Sequence, residues 1–193
     1  MNRELLAGVL ALALGSGTAC AQVPPAPQQI AAALLAAPKE LRPDATVLGY
    51  SAQGKLVELR KGSGPMTCLA SNPREEQFHV ACYHRSLEAF MARGRALRAE
   101  GVTGDRVDSV RFAEVRAGKL AMPTAAMLYS LTGPGGSFDP ASGTAPKAKP
   151  LYVVYLPNAT AASTGLSAKP VEDGPWIMDP GTPKAHIMLE PGM

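Results

Sequence analysis

The hydrophobic and polar positions change period several times along the chain, and each change marks an element. Ile30, Ala33, Leu34 and Ala37 recur at helical spacing from Gln28 until Pro38 stops them, which predicts a short amphipathic helix. Thr46 to Tyr50 and Lys55 to Arg60 alternate as strands around Ala52-Gln53-Gly54, a hairpin, and Gly62-Ser63-Gly64-Pro65 ends it. Met66 to Ser71 and Phe78 to His84 read as two further strands joined by the polar turn Asn72-Pro73-Arg74-Glu75-Glu76-Gln77. Leu87, Phe90, Met91, Gly94 and Leu97 form a helical stripe that ends at Gly101. Residues 105–117 fit a second helix with Val107 and Val110 inward, although Arg111-Phe112-Ala113-Glu114-Val115 alternates well enough to be a strand.

Beyond that point Ala125 to Leu131 and Leu151 to Leu156 read as strands. The Gly, Pro, Ser and Ala between them, Thr132 to Pro150, predict an exposed mobile loop. Residues 158–183 carry little periodicity and many Gly and Pro, and Ala185 to Leu189 makes a final strand. Strands and helices neither alternate strictly nor segregate, so the expectation is α+β: a mostly antiparallel sheet, two or three packed helices and a long loop-rich C-terminal third.

The N-terminus follows none of these patterns. Arg3 precedes an uncharged run from Leu5 to Leu14, then Gly15-Ser16-Gly17-Thr18 and Ala19-Cys20-Ala21. A basic start, an apolar stretch too short for the roughly 20 residues of a membrane span, and an A-x-A site are the parts of a cleavable export signal. Residues 1–21 are therefore read as signal peptide, residues 22–27, which are proline-rich, as a disordered segment, and residues 28–193 as one globular domain. A lipid anchor on Cys20 is the competing reading, but Gly17 stands where such a signal wants a leucine-like residue. The expected location is periplasmic or secreted, in a bacterial envelope.

Charge adds mainly an exclusion. A net charge of +3 over 193 residues lacks the basic stripe of a nucleic-acid binder. Arg85, Arg93, Arg95 and Arg98, with Arg106, Arg111 and Arg116, could face an anionic partner, but interspersed Glu88, Glu100, Asp105, Asp108 and Glu114 favour an ordinary solvated face.

Candidate chemistry is sparse. In a hairpin centred on Glu75, Cys68 and Cys82 lie seven residues to either side and face each other, as Ala70 and Val80 do at five. Two facing thiols in an exported chain predict a disulfide. His79 and His84 are metal-ligand candidates by residue type, but residues an odd number apart in a strand point to opposite faces unless the strand ends or bulges between them. The segment Gly174 to His186 carries the only tryptophan, Trp176, as a candidate ligand contact, and Asp179 with His186 as a candidate acid/base pair, on backbone stiffened by three prolines. No catalytic or cofactor signature is present, and no cofactor is expected. The leading expectation is a non-enzymatic protein that binds a small ligand, a glycan or an envelope protein. The alternative is a small hydrolase or metal-dependent enzyme with its site around His186.

Overall fold

The computed structural model describes residues 23–172 and 174–191. The signal peptide and Cys20 lie outside these residues. Eight strands make one sheet in the order β2-β1-β3-β4-β5-β6-β8-β7, in which β1 (Thr46–Tyr50) runs parallel to β3 (Met66–Leu69). The other neighbours, formed by β2 (Leu56–Arg60), β4 (Gln77–His84), β5 (Ala126–Pro134), β6 (Lys149–Tyr155), β7 (Trp176–Met178) and β8 (His186–Leu189), pair antiparallel. Among the described residues four α-helices accompany them: α1 (Ala26–Leu34), α2 (Glu88–Ala99), α3 (Asp105–Arg116) and the single turn α4 (Ala161–Thr164). The fold is α+β with a mostly antiparallel sheet.

The pleat sorts side chains onto two faces. On one face Val47, Cys68, Phe78, Val80 and Cys82 meet Ala32, Ala33, Ala36 and Ala37 from α1 and the turn after it. Small alanines let α1 sit close to the sheet. The buried stripe is turned by one position from the expected one, because Gln29 is buried in it while Ile30 and Leu34 are half-buried. Gln29 is tolerated there because its amide extends the ladder of β1. Its Oε1 accepts from Tyr50 N at 2.8 Å, and its Nε2 donates to Tyr50 O at 2.9 Å and to Pro24 O at 2.7 Å. Residues 23–27, expected to be disordered, are thereby tied down, and α1 begins within them at Ala26.

The opposite face buries Tyr83, Leu87, Ala126, Val153 and Tyr155 beneath α2. The Tyr83 hydroxyl donates to Glu88 Oε2 at 2.6 Å and accepts from Arg95 Nη1 at 2.9 Å, so a polar tip is satisfied at the rim of the apolar layer. The stretch left open between helix and strand is the helix α3. Asp105 and Asp108 in the first turn suit the positive end of its dipole.

Cys68 pairs directly with Cys82 in the β3–β4 register, and the two form a disulfide with Cα atoms 4.0 Å apart. Gly62 is needed after β2: a Cβ there would collide with the backbone of Asp44 and Thr46. The segment expected to be mobile is instead mostly strand and ordered turn. β5 runs to Pro134, β6 starts at Lys149, and Asp139 closes the connection by accepting from Ala141 N at 3.0 Å and Ser142 Oγ at 2.6 Å.

Candidate functional site

The turn between β7 and β8 brings the residues singled out at 176–186 together. Asp179 takes a left-handed conformation (φ 51°), and its carbonyl accepts from Thr182 N at 3.2 Å and Thr182 Oγ1 at 2.8 Å. Gly181 N in turn donates to Ala159 O at 2.7 Å, which fixes the hairpin to the strand-to-α4 connection. Met178 pairs with His186 and Trp176 with Met188, so these four residues share the α2 side of the sheet.

His186 is buried at 7% exposure and stacks on Tyr155, ring centroids 5.3 Å apart. Its Nδ1 lies 2.7 Å from Lys184 O, and a carbonyl can only accept, so Nδ1 carries the proton and Nε2 the lone pair. Burial lowers the imidazole's pKa, against the weaker opposing pull of the Lys184 carbonyl and the Asp179 charge. The ring is therefore neutral at pH 7. Burial likewise raises the Tyr155 phenol, partly offset by the positive charges of Lys184 and Arg111.

Asp179 does not touch His186 directly. Its carboxylate lies 3.3 Å from Lys184 Nζ, which donates at 2.9 Å to Asp108 on α3. Asp108 also pairs with Arg111. Burial opposes ionisation of Asp108, but hydrogen bonds from Lys184 and Arg111, with their charges, overcome it and hold the carboxyl below its ordinary range. Lys184 mirrors this: burial works against its charge, and Asp108 and then Asp179 raise it. Arg111, expected on a solvated face, is instead buried at 5% exposure. Its guanidinium sits 3.9 Å from the centroid of Phe90 and donates to Phe90 O at 3.2 Å. Gly94 makes room for it, since a Cβ there would lie 2.9 Å from Arg111 Nη1. Arg111 Nε and Trp176 Nε1 are buried with no hydrogen-bond partner among the described residues.

The other histidines go elsewhere. His79 Nδ1 is 2.8 Å from Thr132 Oγ1, whereas His84 caps the turn before α2, its Nδ1 accepting from Ser86 N at 3.2 Å. The structure does not bring His79, His84 and His186 to one ion, and among the described residues no three His, Cys, Asp or Glu side chains are placed to hold a metal.

A second feature was invisible in the periodicity. The N-terminal end of α1, the β3–β4 turn and the β5–β6 connection enclose a groove of about 300 Å³. Phe78, Phe138, Pro24 and Pro73 give it apolar walls, with Gln28 and Gln77 among its polar lining. Glu75 accepts from Asn72 Nδ2 at 3.0 Å, but the side-chain amides of Gln28 and Gln77 make no hydrogen bond among the described residues. None of the His186 cluster lines this groove. The chain matches no protein-family profile, no curated protein and no solved structure. Lys184, Asp108 and Tyr155 were missed because their pairings are long-range. The one local signal was the placement of Lys184 between Asp179 and His186.

Proposed function

We propose that the protein is an exported, non-enzymatic binding protein that takes a small ligand in the groove between α1 and the β3–β4 turn. The observation that carries this reading is the contrast between spent and unspent polar groups. The charged members of the His186 cluster are paired with one another, whereas the groove has an apolar interior and free side-chain amides. A concave apolar site whose one charged lining residue, Glu75, is engaged by Asn72 favours a ligand with an apolar body and uncharged hydrogen-bonding groups. The disulfide fits an oxidising compartment, which supports export.

Titration with the neutral fluorophore N-phenyl-1-naphthylamine tests the site. Saturable fluorescence enhancement is expected, with amide shifts confined to residues 70–77 and 135–138, and Gln28→Trp should block both. Shifts gathered at Tyr155, Lys184 and His186 would contradict the proposal.

One observation favours a second reading. The neutral His186 ring has an Nε2 lone pair that meets no partner among the described residues while Nδ1 is anchored, the arrangement a general base needs. On that reading His186→Gln removes an esterase activity toward small chromogenic esters while leaving the native fold intact. Undetectable turnover by the unaltered protein removes the reading.

A further inference from the structure

A second groove, of about 280 Å³, lies at the opposite end of α1 and shares no residue with the first. Register builds it. Cys82 faces Tyr129 and Tyr129 faces Tyr152, so both tyrosines stand on the α1 side of the sheet, beyond the end of that helix. Their rings meet edge to face with centroids 5.3 Å apart, and Tyr152 stays 37% exposed, one of the few large hydrophobic side chains left open among the described residues. Pro38 and Pro150 form walls beside them, and the two charged residues in the lining, Lys39 and Arg42, are both cationic.

The polar atoms here are only partly spent. Arg42 uses Nε and Nη2 on Ala37 O at 2.8 Å and Leu35 O at 3.2 Å, which caps the carbonyl end of α1 and offsets its negative pole. Its Nη1, the Lys39 ammonium and the hydroxyls of Tyr129 and Tyr152 make no hydrogen bond among the described residues. An exposed π-face attracts the partially positive C–H face of a saturated ring, two cations select an anion, and free phenols match hydroxyl groups.

We infer that this groove binds a carboxylated sugar ring, the pyranose stacking on Tyr152 and its carboxylate meeting Lys39 and Arg42. A purely aromatic acid would leave the phenols unanswered, and a neutral sugar would leave the cations so.

Amide-shift titration with D-glucuronate, against D-glucose, acetate and benzoate, tests this. Glucuronate should shift Lys39, Tyr129 and Tyr152 saturably, at least tenfold more tightly than the other three. Lys39→Glu, an exposed change outside the core, should weaken it at least tenfold, as should Tyr152→Ala. Binding of glucose, acetate or benzoate as tight as glucuronate overturns the assignment, as does an unaltered Lys39→Glu titration. Because the two grooves share no residue, shifts at 70–77 report on the first site and leave this test distinct.

Discussion

The two ends of the sheet are held by different physics. Around β3 and β4 the chain is closed by a disulfide and by an apolar layer in which Val47, Cys68, Val80 and Cys82 are wholly buried. Around β7 and β8, a three-residue edge strand is held to the body by α3 through Asp108, Lys184 and Asp179, with Arg111 buried behind them. The first end adds a covalent link between local partners to its buried area, and the second adds to its own buried Trp176, Ile177 and Ala185 a set of charges brought together across some 76 residues of sequence. That difference predicts how each end fails.

The largest effect should come from the covalent end. Cys68→Ala with Cys82→Ala releases a loop of sequence separation 14 and should lower unfolding stability by about 3 kcal/mol in chemical denaturation. Asp108→Ala should cost slightly less, about 2 kcal/mol, because Arg111 is left buried without its carboxylate, and hydrogen exchange should show β7 and β8 opening before β3 and β4.

Acid should sharpen the contrast further. His186 has a folded pKa below its ordinary 6.5, so the unfolded chain binds its proton first and stability falls as pH drops below 6.5. His186→Phe keeps the stack on Tyr155 and should flatten that part of the stability profile. Asp108, held below its ordinary 3.8, adds stability that is present above that value and disappears as pH falls through the depressed one. The smallest effect belongs to the α2–α3 surface: Glu100→Ala removes a 3.5 Å contact with Arg93 at an exposed position and should leave the denaturation midpoint unmoved.

What the sequence discloses follows the same division. The β3–β4 register, and with it the disulfide, was legible because a hairpin is local and period two fixes which residues face each other. Most strand positions were legible for that reason, as was α2. The helix at 105–117 was ambiguous because Arg111, a charged residue, occupies an inward position, which Asp108 beside it and Phe90 and Gly94 on another helix make possible. β7 went unseen because three residues between Pro175 and Pro180 are too few to show a period. Of the candidate site, Trp176, Asp179 and His186 do converge on one hairpin. Lys184, the residue that joins Asp179 to α3, acquires that role only from tertiary contact.

The exported reading, which the disulfide supports, is tested most directly by the intact mass of the protein recovered from its native cells. The account predicts a chain beginning at Gln22, with no reactive thiol until it is reduced. An unprocessed chain beginning at Met1, with Cys68 and Cys82 both free, would contradict it.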